Sequence, residues 1–369
     1  MSAALGFQII VPVYNEAEGL EQILQAALAA GYLDKIFFVD DASTDDSAQI
    51  LRRWETSHAI SALFLVENHK KEGAIRQVLE VLKEQQRLEP YTILVDADSF
   101  MTCPANEPSV LAAVQTAIDH LRDNQLAALA FRIDAVLGEA STLLERCIFA
   151  DYSAMQFDQW LTSQQRQLWV VNGPGGLFRS DLLLETLRDM APDFETGDLL
   201  ITVKLMKAGH GVAYYPALQV KTYVPRTLAV YFRQRRRWER GTTKVLWWER
   251  GFYASLFKGP NLLALATLIH LSLNFIIFTT LWAVVTATNP LAVLGQWFAV
   301  TYAVWFVLNV SKGLWNQPLR NAPGLAWYSV YCLMNGVLWF AVTTWARLAG
   351  FFDAVGFLLY VRGSRPIGE

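Results

Sequence analysis

The sequence predicts an α/β domain with a mostly parallel sheet over residues 1–225, followed by interface helices over 226–258 and a transmembrane region over 259–369. Three observations support this division: alternating strand and helix patterns, then a basic aromatic stretch, then long apolar segments. Residues 1–225 contain 17 Lys and Arg against 30 Asp and Glu, whereas residues 226–369 contain 14 against 4. This asymmetry is typical of a cytosolic domain that sits on an anionic membrane leaflet.

The first 225 residues alternate short apolar runs with apolar residues at helical spacing. Four strands are predicted, at Phe7–Val13, Lys35–Val39, Ala62–Val66 and Tyr91–Val95. Helices are predicted between them, after Asn15 and over Ser47–Trp54 and Ala74–Leu82. Strands that alternate with helices predict a parallel sheet covered on both faces, and in such sheets ligands bind at the carboxyl ends of the strands.

Polar residues follow three of these strands. Tyr14-Asn15-Glu16 follows the first, Asp40-Asp41 ends the second, and Asp96-Ala97-Asp98 follows the fourth. Residues i and i+2 of an extended segment point the same way, so the carboxylates of Asp96 and Asp98 are expected to converge. Converging carboxylates bind a hard cation, Mg²⁺ or Mn²⁺, which in turn binds phosphate oxygens.

Residues 226–258 form a basic and aromatic stretch that contains the run QRRRW at 234–238. A basic run also suits nucleic acid, but the hydrophobic segments that follow favour helices in a membrane interface and no nucleic-acid partner. Those segments are Leu262–Thr286, Leu291–Val310 and Leu325–Ala346, each long enough to span a membrane. Lys312 and Arg320 lie between the second and third segments and suit a cytoplasmic loop. A weaker apolar segment, Gly350–Val361, is too short to span a membrane.

The N-terminus and the cysteines indicate in which cellular compartment the front domain is expected to lie. The first residues lack the basic and apolar regions of a cleaved signal peptide, so the front domain is expected to stay in the cytosol. Cys103, Cys147 and Cys332 form no paired motif, which predicts buried, reduced thiols rather than a zinc site or a disulfide framework.

Six motifs occur in a fixed order along the chain. They are IIVPVYNE at 9–16, VDDASTD at 39–45, VDADS at 95–99, GPGGLFR at 173–179, TGD at 196–198 and QRRRW at 234–238. This ordered set resembles the family 2 glycosyltransferases, whose catalytic domain has the GT-A fold. The Q-x-x-R-W pattern resembles their membrane-embedded branch, which includes cellulose, chitin, hyaluronan and poly-N-acetylglucosamine synthases.

The resemblance implies roles for residues that bind the donor. Tyr14 and the pair Asp40-Asp41 would hold the nucleobase of a nucleotide-sugar. Lys71, in an N-x-x-K-x-G segment, would contact the donor phosphates. Asp96 would face the uridine and the metal, and Asp98 would be the metal ligand.

The resemblance also implies a base and an acceptor site. The family's T-E-D motif supplies the general base through its Asp, which here is Asp198, whereas the Glu is replaced by Gly197. Glu195 is the rival candidate for the base. Gln234, Arg237 and Trp238 share one helical face and would form the acceptor and diphosphate site.

The sequence therefore predicts an inverting, metal-dependent transfer of sugar from a nucleotide-sugar, favoured as a UDP-sugar, to a growing β-linked polysaccharide. Two alternatives stay open: transfer of one sugar to a lipid acceptor, and a non-catalytic membrane subunit on a transferase scaffold. The expected location is the inner or plasma membrane, with the catalytic domain in the cytoplasm. Expected partners are a polysaccharide or lipid-linked acceptor, membrane lipids, and an export subunit or a second copy of the chain.

Overall fold

The computed structural model describes residues 6–58, 60–103, 107–190, 195–315, 322–338 and 342–363. The chain divides into two compact units. The first comprises Met1–Val136, Thr162–Asp193 and Gly197–Tyr223, and the second comprises Leu137–Leu161, Phe194–Thr196 and Val224–Glu369.

The first unit is built on a sheet of eight strands, in the order β3-β2-β1-β4-β7-β6-β8-β5 across the part of the chain that is described. The strands are β1 Phe7–Val13, β2 Ile36–Asp40, β3 Ser61–Phe64, β4 Tyr91–Leu94, β5 Ser99–Thr102, β6 Leu126–Ala135, β7 Gly176–Arg179 and β8 Gly211–Thr222. The pairs β1–β2, β1–β4, β2–β3 and β6–β8 are parallel, whereas β4–β7, β6–β7 and β5–β8 are antiparallel. The predicted α/β fold with a mostly parallel sheet is confirmed.

Helices cover this sheet. They are α1 Ala17–Ala29, α2 Ser47–His58, α3 Lys70–Glu84, α4 Val110–Asp123, α6 Ser180–Arg188 and α7 Gly197–Lys207. In α1 the buried residues Leu20, Ile23, Leu24 and Ala27 recur at helical spacing, so one face of the helix packs into the core. That core is continuous with buried residues of the central strands, such as Ile9.

The second unit is helical. Its helices are α5 Leu143–Ser163, α8 Leu228–Trp248, α9 Arg250–Leu256, α10 Leu262–Thr286, α11 Pro290–Trp315, α12 Ala322–Leu338 and α13 Thr344–Gly363. The α13 helix packs closely on α8 because Gly350 has no side chain: a Cβ there would lie 2.5 Å from the carbonyl oxygen of Arg236. Arg236 also pairs with Asp353 at 2.7 Å, so the contact is both steric and ionic.

Three of these helices overlap the predicted membrane spans. The α10 helix has the bounds predicted for the first span, and α11 and α12 overlap the second and third. Within the described residues, however, no helix is both long enough and apolar enough to cross a membrane. The three predicted transmembrane helices are therefore not supported by the structure.

The cysteines differ from the expectation in one case. Cys147 and Cys332 are buried, as predicted, but Cys103 is exposed. Cys103 directly follows β5, a short strand that pairs with β8 only, so the chain leaves the sheet there. The prediction of a buried thiol at Cys103 is therefore wrong.

Candidate active site

The carboxyl ends of β1 and β2 form the first part of the site. The backbone N–H of Asp41 donates to the carbonyl of Val13 at 2.9 Å, which brings the two strand ends together. The carboxylate of Asp41 accepts from the N–H of His69 at 2.7 Å, and Asn68 donates to the Asp41 carbonyl at 3.1 Å. Burial raises the pKa of Asp41 despite the hydrogen bond from His69.

The Asp40 carboxylate differs in the surroundings of its two oxygens. One carboxylate oxygen, Oδ2, accepts from the backbone N–H of Ser43 at 3.2 Å. The other, Oδ1, is buried and has no hydrogen-bond partner among the described residues. A buried acceptor without a partner is costly, so this atom fits a donor group supplied by a ligand. Tyr14, at the end of β1, is 47% exposed and lies at the surface.

Lys71 lies in the first turn of α3 and pairs with Asp96 after β4. The approach to this helix is fixed by Lys70, whose φ of 60° is in the left-handed region, and by Asn68, which accepts from the Lys70 N–H at 3.2 Å. Burial alone would lower the pKa of Lys71, but the carboxylates of Asp96 and Asp198 outweigh it and raise that pKa. Lys71 is therefore a cation placed between two acids.

Gly173 is the point on which these groups converge. A Cβ at Gly173 would lie 2.5 Å from Lys71 Nζ, 3.5 Å from Asp198 Oδ2 and 3.7 Å from Asp96 Oδ2. The Gly173 N–H donates to Asp198 Oδ2 at 3.2 Å, and the Leu199 N–H donates to Asp198 Oδ1 at 2.8 Å. Three residues predicted from separate motifs thus surround one glycine of the GPGG segment.

Asp98 and Glu16 add further carboxylates beside Asp96. Asp98 accepts from the Ser99 hydroxyl at 2.8 Å, and burial together with Asp96 raises the pKa of Asp98 to about 6. Glu16 directly precedes α1, and burial together with Asp98 and Asp96 raises the pKa of Glu16 to about 7. Glu16 was not predicted as a site residue, although its place at a strand end was a signal that could have indicated it.

This donor set fits a divalent cation. Like-charged carboxylates that raise one another's pKa repel, and a hard cation would relieve that repulsion. Within the described residues no three His, Cys, Asp or Glu side chains are arranged as a complete metal site. Two carboxylates, Asp96 and Asp98, are nevertheless the usual protein contribution to a Mg²⁺ site that phosphates complete.

Glu72 is a charged neighbour that the sequence analysis missed. Glu72 follows Lys71 in the sequence, and its side chain lies against Gly197 at the start of α7. Burial raises the pKa of Glu72, and Asp198 and Asp96 act in the same direction, whereas Lys71 opposes them. Glu72 therefore belongs to the electrostatic environment of Asp198.

The Q-x-x-R-W residues lie on α8 in the second unit. Gln234 has a buried side-chain oxygen with no hydrogen-bond partner among the described residues, and Arg237 is exposed. The ring of Trp238 lies under the guanidinium of Arg235, 4.6 Å from the ring centroid. Arg235 in turn pairs with Asp151 of α5 at 2.8 Å. No role was predicted for Arg235, yet it is the arginine whose guanidinium stacks on Trp238.

Glu195, the rival base, is held by two cations of α8. Its carboxylate accepts from Lys244 at 3.1 Å and pairs with Arg240 at 3.0 Å. Lys244 is 4% exposed, so the pair is largely shielded from water. These contacts engage both carboxylate oxygens and favour a structural role for Glu195.

The family model of glycosyltransferase like family 2 matches residues 4–241, well over half of the chain. The chain belongs to this family. The prediction of a glycosyltransferase is thereby confirmed at the level of the family, and all six motifs fall inside the matched region.

The chain is also similar in sequence to curated proteins. The chain is 23% identical over 258 residues to the poly-β-1,6-N-acetyl-D-glucosamine synthase of Staphylococcus aureus strain COL, which covers 68% of this chain and 57% of that protein. The same synthase of Staphylococcus epidermidis is 23% identical over 248 residues, covering 65% and 55%. The chain thus spans little more than half the length of these relatives.

One solved structure shares the fold over most of the chain. The mannosyltransferase PcManGT of Pyrobaculum calidifontis, solved in complex with GDP-Man and Mn²⁺, superposes with a TM-score of 0.55. The match has 19% sequence identity and covers 92% of this chain and 87% of that one. This likeness supports the GT-A-like fold.

Proposed function

We propose that the chain transfers a sugar, with inversion, from a UDP-sugar to a growing β-linked polysaccharide at a membrane. The observation that carries the proposal is the convergence of Lys71, Asp96 and Asp198 on Gly173. This reaction needs a cation to bind the phosphates, an acid to hold a metal ion and a carboxylate to remove a proton.

The donor is proposed to lie along the carboxyl ends of β1, β2 and β4. The free buried oxygen of Asp40 suits an N–H of a nucleobase, and the exposed ring of Tyr14 suits stacking against it. Lys71 would exchange its pairing with Asp96 for the diphosphate. The nucleotide-sugar and Mn²⁺ bound to PcManGT are consistent with this class of donor.

Asp198 is proposed to act as the general base. It would take the proton of the acceptor hydroxyl as that oxygen attacks the anomeric carbon, and the bond from that carbon to the diphosphate would break. A single displacement inverts the anomeric centre, so an α-linked donor gives a β-linked product. The two backbone N–H groups that donate to Asp198 hold the carboxylate in place without neutralising it.

Asp96 and Asp98 would hold the divalent cation. When bound, a Mg²⁺ or Mn²⁺ ion offsets the negative charge that develops on the leaving diphosphate. Lys71 would supply a second positive charge at the same place, since the carboxylates of Asp96 and Asp198 favour its protonated form.

The acceptor site is proposed to include Gln234, Arg237 and Trp238. The unpartnered oxygen of Gln234 suits a sugar hydroxyl, and the ring of Trp238, held under Arg235, suits a sugar face. The curated relatives, which are named as synthases of a β-1,6-linked polymer, favour a polysaccharide over a single glycolipid.

The proposal is tested with purified full chain and a panel of nucleotide-sugars, by measuring release of nucleoside diphosphate and then the length of the product. A polymer from a UDP-sugar is the expected result. A single sugar added to a lipid would replace the polysaccharide with the lipid alternative. Absence of turnover with every donor, while nucleotides still bind, would favour the non-catalytic subunit.

We further propose that the chain is a membrane protein of the inner or plasma membrane, with residues 1–258 on the cytoplasmic side. Trp247, Trp248 and Phe257 are each at least 42% exposed beside basic residues, which suits a membrane interface. Exposed apolar residues continue along the following helices: Leu265, Leu268, Ile269, Leu271, Trp282, Val285, Leu291 and Val300. An apolar surface of this extent is typical of a site of membrane or protein contact.

Cys103 gives a direct test of this sidedness. It is exposed, whereas Cys147 and Cys332 are buried, so a membrane-impermeant maleimide should label Cys103 alone once the membrane is opened. Intact cells should give no labelling, since the reagent cannot reach the cytoplasm. Cys103→Ser is the control that identifies the labelled thiol. Labelling of Cys103 in intact cells would place the domain on the outer side.

Gly173→Ala is expected to reduce transfer while leaving the fold intact. The added Cβ meets the flexible end of Lys71, which moves aside at little cost, so Tm should hardly change. Displacing Lys71 removes a charged hydrogen bond at the diphosphate, worth about 1.5–3 kcal/mol, or roughly 10–100-fold in rate. Gly19→Ala is the matched control because a Cβ there meets nothing within 4 Å. Equal activity in the two variants would contradict the placement of Lys71.

A further inference from the structure

Glu72 lies over the first residue of α7, in the space that a side chain at position 197 would need. A Cβ on Gly197 would overlap the carboxylate, Cδ and Cγ of Glu72. Gly197 is buried, and its φ is outside the left-handed region, so the backbone itself does not require glycine there. The neighbouring carboxylate of Glu72 is what requires it.

This contact is next to the reacting groups. Lys71, Glu72, Gly173 and Asp198 line one small cavity of the first unit. Glu72 follows Lys71 on α3, and Gly197 precedes Asp198 on α7, so the contact joins the residue proposed for the donor to the residue proposed for the base. A carboxylate at the N-terminus of α7 also interacts favourably with the helix dipole.

The position of the carboxylate explains the departure from the T-E-D pattern. That pattern has a glutamate where this chain has Gly197, and a Cβ at position 197 would overlap the Glu72 side chain, so the two side chains could not both keep these positions. The same space at the start of α7 is therefore filled by a carboxylate that comes from α3.

We propose that Glu72 and Gly197 are a matched pair, and that the Glu72 carboxylate holds the start of α7 and so positions Asp198. Glu72 is then a positioning residue for the base. This role rests on the function proposed above, whereas the steric pairing itself does not.

The pairing is tested by a thermal double-mutant cycle on the full chain. Gly197→Ala alone should lower Tm by roughly 2–12 °C, because overpacking a buried site destabilises the folded state. In the Glu72→Ala background the same change should lower Tm by less than half as much, since the clash is gone. Glu84→Ala, an exposed glutamate at the end of α3, is the control background and should leave the effect of Gly197→Ala unchanged. An equal loss in both backgrounds would overturn the pairing.

The positioning role is tested by moving the carboxylate. Glu72→Ala should lower kcat by about tenfold with the KM for the donor changed little, because the base is displaced and the nucleotide is not. The combined variant Glu72→Ala with Gly197→Glu restores a carboxylate to the same space from α7, and it should regain most of the lost kcat. A purely structural role would predict recovery with Gly197→Leu as well.

The outcomes separate the pairing from the function. Recovery by Gly197→Glu and not by Gly197→Leu supports the positioning role. Recovery by both, or by neither, overturns it. If the wild-type chain transfers no sugar from any donor, the proposed function and the positioning role both fail, and the thermal cycle still decides whether the two residues are paired.

Discussion

Asp198→Asn is expected to lower sugar transfer by roughly 10²–10⁴, the usual contribution of general acid–base catalysis. Asparagine has the same shape but accepts no proton, so the loss should fall on kcat. Binding of the nucleotide should be retained, because the groups proposed for it are Tyr14, Asp41, Lys71 and Asp96. The measurements are transfer at saturating donor and titration of nucleoside diphosphate.

Glu195→Gln is the matched comparison for Asp198→Asn. Glu195 is bound to Lys244 and Arg240, so removing its charge leaves a buried lysine without its full partner and should lower Tm. The kcat of the folded variant should stay close to that of the wild type. Near-normal transfer in Asp198→Asn together with a large loss in Glu195→Gln would falsify the assignment and make Glu195 the base.

The sequence predicted the first half of the sheet well and the second half poorly. The strands β1 to β4 lie within two residues of their predicted bounds, because each is an apolar run between polar residues. The strands β5 and β7 were not predicted, although with four residues each they are no shorter than β3 and β4. Their antiparallel pairing also joins distant parts of the chain, such as Leu94 with Gly176, which local patterns cannot predict.

The site was predictable where it depends on strand ends. Asp40, Asp41, Asp96 and Asp98 follow from a rule of sheet geometry, namely that the carboxyl ends of parallel strands share one edge. Asp198 does not follow from that rule, since it lies in the first turn of a helix, and only the motif resemblance indicated it.

Glu72 and Arg235 were missed for another reason. Each contacts a residue that is remote in sequence. Glu72 lies against Gly197, and Arg235 pairs with Asp151 and also stacks on nearby Trp238. A single sequence contains no signal for such pairs unless one member is unusual. Gly197 was that unusual member, because the resemblance places a glutamate at its position.

Asp98→Asn is expected to abolish the effect of a divalent cation on the protein. A ligand present at 100 times its Kd stabilises the folded state by about 2.7 kcal/mol, which corresponds to a rise in Tm of roughly 5–10 °C. Wild type should show such a rise with Mn²⁺ and UDP together. Asp98→Asn should not, because the amide is a weaker ligand than the carboxylate and only one acid of the pair, Asp96, is left to hold the ion.

The same variant should lose transfer by roughly 10²–10³, since metal stabilisation of the leaving charge contributes several kcal/mol. Asp123→Asn is the control: that carboxylate is 65% exposed at the end of α4 and should affect neither readout. The thermal measurement separates metal binding from every other cause of lost activity. Full turnover of wild type in chelator, or an unchanged Mn²⁺ response in Asp98→Asn, would show that Asp98 is not the metal ligand.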